Sequence, residues 1–165
     1  MAFINIEQPQ IINVNKELRL IALHKDEWQV ALPWYENPQV LYYSEGVENG
    51  IYDIDTINRM YSYLASIGEL YFIQALEEGK WKTIGDVTLS EENMPIVIGD
   101  EKYWGKSIGK KVIGKLIERA KEVQLKRILI PEIYKYNERS RNLFKFFGFE
   151  KVAEDNKGES YELKL

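Results

Sequence analysis

Apolar and polar positions change period several times along the chain, and each change marks a new element. In "LRLIAL" (Leu18 to Leu23) apolar residues alternate around Arg19, which predicts a strand. The segment that follows, "HKDEWQVALPWYENPQVLYY", predicts a helix that Pro33 ends. From Ile54 to Ile67, the residues Ile54, Ile57, Met60, Tyr61 and Leu64 recur at helical spacing behind a capping Asp53, and Gly68 can close that helix. "ELYFIQAL" and "WKTIGDVTL", joined by "EEGK", predict a hairpin whose turn is supplied by Gly79. "MPIVIGD" is a short β-branched run that predicts a central strand.

Beyond it, Ile108, Val112, Ile113, Leu116, Ile117, Ala120 and Val123 trace one face of a helix, leaving Lys110, Lys111, Lys115 and Arg119 for solvent or a ligand. "RILIPEIY" predicts a strand whose ladder breaks at Pro131. "NERSRNLFKFFGF" predicts a short helix from the N-cap Asn137 to Gly148. "EKVAED" and "SYELKL" predict closing strands around Asn156, Lys157 and Gly158. The order is that of a mixed α/β (α+β) fold. One domain is expected over 1–165, an extension at 1–17 and a core at 18–165. Pro95 to Tyr134 forms a strand, helix, strand unit, for which parallel strands and a right-handed crossover are expected.

Composition narrows the chemistry. A formal net charge of −4 argues against non-specific nucleic-acid binding and suits a cationic small substrate. With no cysteine, disulfides, thiolate metal sites and a cysteine nucleophile are excluded, and a single histidine excludes multi-histidine metal clusters. That histidine, His24, lies in the charged "HKDEW" and reads as a surface residue. No apolar run approaches the roughly 20 residues of a membrane span, and the N-terminus lacks a secretion pattern. A cytoplasmic protein without a membrane partner is expected.

The loop "YWGKSIGKKVIGK" (Tyr103 to Lys115) carries small and basic residues into a helix that follows a strand. Such a helix start offers unpaired N–H groups and positive dipole charge to phosphate oxygens. Gly105, Ser107 and Gly109 would let a pyrophosphate approach the main chain, with Lys106 and Lys110 adding charge. The pattern is neither a Walker loop nor a GxGxxG fingerprint. Taken alone, it allows an ATP site as well as other phosphates, or only a turn.

Together, this loop and "NERSRNLFKFFGF" resemble the two signatures of the GNAT N-acetyltransferase family, an element order shared over residues 18–165. In that family the loop reads Q/R, x, x, G, x, G/A; the register here is Trp104, Gly105, Lys106, Ser107, Ile108, Gly109, so Trp104 replaces the Gln/Arg and Ser107 the first glycine. The resemblance implies a GNAT fold: a single central sheet of about six to seven strands, mostly antiparallel with a splayed parallel pair, flanked by about four helices. It implies acetyl-CoA as co-substrate, an amine acceptor and no metal. Relatives are often dimers, so a homodimer is a further possibility.

The resemblance also distributes roles. Main-chain groups of Val97, Ile98 and Gly99 would hold the pantetheine and thioester, and an N–H there would polarise the acetyl carbonyl. Asn137 would bind the pantetheine arm while capping its helix. Phe144 stands where many members carry the tyrosine that protonates the leaving thiolate, so water or another phenol, such as Tyr134 or Tyr136, must serve, or the thiolate leaves unaided. A non-catalytic CoA-binding module is therefore a second expectation.

Amine chemistry needs a base, and the candidates are Asp86, Glu91, Glu92 and Glu132. The acceptor is expected at Trp34, Tyr35, Tyr42 and Tyr43, where Glu36 and Glu45 lie among aromatic rings able to hold a cation. The same segment is similar to aminoglycoside N-acetyltransferases, but Pro95 stands where those carry an Asp base; polyamines and protein N-termini stay open as acceptors.

Overall fold

A computed structural model describes residues 3–47 and 50–165. Eight strands and five α-helices are formed among them: β1 (Ile11–Asn15), β2 (Leu18–Ile21), α1 (Leu32–Tyr35), α2 (Pro38–Glu45), α3 (Ile54–Ile67), β3 (Glu69–Glu77), β4 (Lys80–Leu89), β5 (Ile96–Ile98), α4 (Ile108–Glu122), β6 (Arg127–Tyr134), α5 (Glu138–Phe146), β7 (Glu150–Glu154) and β8 (Gly158–Lys164). Two 3-10 segments, Lys25–Ala31 and Glu101–Tyr103, lie ahead of α1 and α4.

The mixed α/β class holds, but the strands fall into two antiparallel sheets rather than one. β1-β2-β3-β4-β5 form the first and β6-β8-β7 the second. β5 and β6, expected as a splayed pair, form no ladder with each other. Their elements meet where Leu129 N–H donates to Glu91 O at 3.0 Å and Lys126 N–H donates to the Glu91 carboxylate at 2.9 Å. Beyond that point each strand pairs only with its own sheet, β5 with β4 and β6 with β8, and the space between them is a cleft. Pro131 breaks the β6 ladder as expected, its register shifting between Ile130 and Ile133.

Two cores sandwich the first sheet. β3 sends Tyr71 and Ile73 into a cluster shared with α4, β6 and α5, and sends Leu70 and Phe72 into another shared with α1, α2 and α3. A strand covered on both faces reads as a continuous apolar run, which is why "LYFI" shows no alternation. Across the hairpin, Ile84 is an extra residue opposite Ile73 and Gln74, and its carbonyl accepts from Gly99 N–H (2.8 Å) and Asp100 N–H (3.2 Å). This bulge turns β4 so that Asp86 faces the α1/α3 side.

Two local expectations are corrected. Pro33 does not end a helix; it lies in the first turn of α1, where the missing N–H removes no bond, and Pro38 opens α2 in the same way. Within the stretch expected as an extension, residues 11–15 form β1 on the edge of the first sheet, while residues 1 and 2 lie outside the described residues.

Candidate active site

The cleft between β5 and β6 has a volume of about 1220 Å³ and is closed at its sides by α2, α3, α4 and α5. Its two ends differ in chemistry. At the start of α4 the chain turns through Gly105 (φ +73°) and Ser107 (φ +60°), so Ser107 enters the helix from a left-handed conformation that few non-glycine residues adopt. The Ser107 side chain makes no capping bond. Helices α2, α3 and α5 are instead capped by Asn37, Asp53 and Asn137, whose side chains accept from Gln39, Thr56 and Ser140 N–H. The first N–H groups of α4 thus face the cleft without a side-chain acceptor, beside Lys106, Lys110 and Arg139. Glu138 lines the same side.

Gly109 also has a part in packing. A Cβ there would lie 3.2 Å from Leu143 Cδ2, so its small size serves the packing of α4 on α5. Trp104, in the Gln/Arg position of the loop, donates its indole N–H to Ile98 O at 2.6 Å, and Arg139 lies 5.8 Å from its ring.

The β4/β5 register corrects which main-chain groups face the gap. Val97 pairs with Asp86 and Gly99 N–H donates to Ile84 O, so both turn their backbone toward β4. Ile96 and Ile98, in register with Val87 and Gly85, present theirs across the gap. The Ile98 carbonyl is taken by Trp104, which leaves the N–H groups of Ile96 and Ile98 as donors aimed across the gap. Gly99 has a packing reason: a Cβ would fall 2.1 Å from Trp34 Cγ.

The inner end is built of acids and phenols. Asp86 is 1 % exposed, and both Tyr35 and Tyr61 donate to its Oδ2 at 2.7 Å. Burial pushes its carboxyl up to about 6, against the pull of these two hydrogen bonds. Glu45, the last residue of α2, also lines the cleft and accepts from Tyr52 OH at 3.4 Å. Its carboxyl is pushed up to about 7 by burial and then by the charge of Asp86, while the Tyr52 bond pulls the other way. Tyr35 and Tyr61 are held well above the usual phenol range, first by burial and next by Asp86.

Other expected residues divide clearly. Glu132 lines the cleft on β6; Glu92 is exposed and outside the lining, and Glu91 is occupied in bridging to β6. Tyr35 and Tyr43 reach the cleft wall, whereas Trp34 is a core residue and Tyr42 stacks on Tyr136 at 4.1 Å. Asn137 caps α5 as expected and spends its amide N–H on Tyr43 O at 3.2 Å. Phe144 is buried against Phe149. Of the phenols near it in sequence, Tyr136 donates to Tyr42 O at 2.5 Å and Tyr134 packs its ring against Gly46.

The residues fit an acetyl-CoA-sized co-substrate: a cation-flanked, uncapped helix start for a pyrophosphate, and an open strand edge for an extended amide chain. A comparison with solved structures places the same fold elsewhere. A domain from Methanocaldococcus jannaschii superposes with a TM-score of 0.77 at 21% identity over 92% of this chain and 100% of that one. The microcin C7 self-immunity acetyltransferase MccE, solved with acetyl-CoA and AMP, gives 0.70 at 21% identity over 96% and 98%. Spermidine N-acetyltransferase from Vibrio cholerae, solved with CoA and spermine, gives 0.70 at 14% identity over 92% and 96%. No curated protein matches the sequence. The acetyltransferase (GNAT) family model matches residues 39–149, which include the whole β5–α4–β6–α5 frame of the cleft, and the chain belongs to that family.

Proposed function

We propose that the protein moves the acetyl group of acetyl-CoA to a primary amine of a small molecule or peptide, by direct attack of the amine on the thioester. The observation that carries this reading is the polarity of one continuous cleft. Lys106, Lys110 and Arg139 flank the uncapped start of α4, and Glu45, Asp86 and Glu132 line the opposite part. An anionic co-substrate and a cationic acceptor are thereby drawn to different ends of one space.

Between these ends, the Ile98 N–H is the group that would polarise the acetyl carbonyl, where negative charge develops as nitrogen attacks. Lys106, Lys110 and the α4 N–H groups would hold the pyrophosphate, and bound acetyl-CoA supplies the activated acyl group. Membership of the acetyltransferase family and the relatives solved with acetyl-CoA, CoA and spermine support the reading.

Phe144 favours one alternative, a CoA-binding module without transfer, because its ring offers no proton to a thiolate. Thiol release from acetyl-CoA, measured against polyamines, aminoglycosides and peptides with calorimetric binding alongside, separates the two. Amine-dependent release is expected; tight CoA binding with no release from any amine would leave the module.

A further inference from the structure

We infer that Glu45 takes the proton of the acceptor ammonium, with Asp86 behind it as a positioning residue that sets the charge of the pair. This rests on the N-acetyltransferase reading and assigns its base. The carboxylate most deeply placed in the cleft, Asp86, is the wrong one to meet an amine. Its Oδ2 is filled by two tyrosine hydroxyls, and its residue is 1 % exposed. Among the described residues, Glu45 stands on the wall with a single long bond from Tyr52, which leaves its oxygens capacity for an N–H donor.

The helix end that carries Glu45 is held from both sides. Gly46 takes φ +68°, a left-handed cap, with its N–H on Leu41 O. The Tyr134 ring lies 2.7 Å from where a Cβ at Gly46 would be, so β6 closes over this turn. A carboxylate at the C-terminal end of a helix works against the dipole, and α2 has no basic residue in its last turn to offset it. Among the described residues, the groups facing Glu45 are Tyr35 from α1, Tyr52, Tyr61 from α3, Asp86 from β4 and Tyr134 from β6, which itself faces Glu132. All are acids. A site of this kind holds an anion poorly and a proton, or an ammonium, well.

The step balances without a further reagent. Glu45 accepts one proton from R–NH₃⁺. The freed lone pair forms the N–C bond as the C–S bond breaks. The second N–H proton goes to the sulfur, giving the amide and the thiol, so no phenol at position 144 is required. Glu45 then loses its proton to water.

The test pairs a rate with a titration. In Glu45→Gln, kcat/KM is expected to fall by about 10²- to 10³-fold and the acid limb of the pH–rate profile to disappear, with acetyl-CoA affinity unchanged. In Asp86→Asn, loss of the neighbouring charge should move that limb to lower pH. Carbon NMR of the Glu45 carboxyl in the free protein reads the same pair without catalysis: it should titrate well above the ordinary glutamate range in the wild type, and lower in Asp86→Asn. An unaltered rate and limb in Glu45→Gln, or a Glu45 carboxyl titrating in the ordinary range, would overturn the assignment. Absence of transfer to every amine by the wild type would instead strike the reading it rests on, and the NMR titration would still decide whether the pair exists.

Discussion

The two ends of the cleft are made of different materials. At the α4 end, the groups open to a ligand are backbone N–H groups and exposed lysines, so side chains there can change at little structural cost. At the α2/β4 end they are ionisable groups sunk into the second core, where Asp86, Tyr35 and Tyr61 are hydrogen-bonded to one another as part of the packing. The difference teaches that binding at one end and stability at the other should separate under mutation.

The hardest blow to that contrast is the double variant Tyr35→Phe/Tyr61→Phe, which strips both donors from a buried carboxylate. Denaturant unfolding at pH 8 should show a loss of about 2–4 kcal/mol, while acetyl-CoA affinity stays put. A stable double variant would mean that Asp86 is not held as an anion by these hydroxyls.

Next in size is a pH effect. Both Asp86 and Glu45 have folded-state carboxyls raised above their unfolded range, so the stability they confer is complete near pH 4 and is lost as pH rises through about 6 and about 7. Asp86→Asn removes the first part of that loss. Its stability relative to wild type should therefore improve by about 2 kcal/mol between pH 4 and pH 7, read as the difference between two urea titrations. An unchanged difference across that range would show that Asp86 titrates normally.

At the other end, Lys106→Glu/Lys110→Glu should weaken acetyl-CoA binding about 10-fold at low salt, with unfolding free energy altered by less than about 0.5 kcal/mol. Equal affinities, or a large loss of stability, would erase the contrast. The smallest effect is expected from Trp104→Phe, which frees Ile98 O from its indole donor. Binding or stability should shift by about 1 kcal/mol, and any ligand-induced change in tryptophan fluorescence that survives the substitution must come from Trp28, Trp34 or Trp81.

Legibility in the sequence followed locality. Asp53 before α3, Asn137 before α5 and the Glu78–Gly79 turn of the hairpin act through their immediate neighbours, so their signals are complete in a few residues. Pro33 misled because a proline that stops a helix and one that starts a helix look alike until the chain's direction after it is known. Strand pairing is non-local, and neither the division into two sheets nor the orientation of Ile96 and Ile98 is written in "MPIVIGD" itself. Among the acids, Asp86 was a candidate beside Glu91, Glu92 and Glu132, but only the β4 bulge and the two tyrosines distinguish it. Glu45 had a signal of its own: an acidic residue directly before a glycine at the end of a helix, where a basic residue is favoured.

Trp34 and Gly99 set a limit on how this protein can diverge. The indole occupies the space of a missing Cβ on the strand that would carry the thioester, so any side chain placed at Gly99 must displace Trp34. Tyr43 and Tyr63, 45% and 57% exposed on the cleft wall, are under no such constraint. Descendants with a new acceptor preference are therefore expected to have changed at this rim, with Gly99 kept wherever Trp34 is kept.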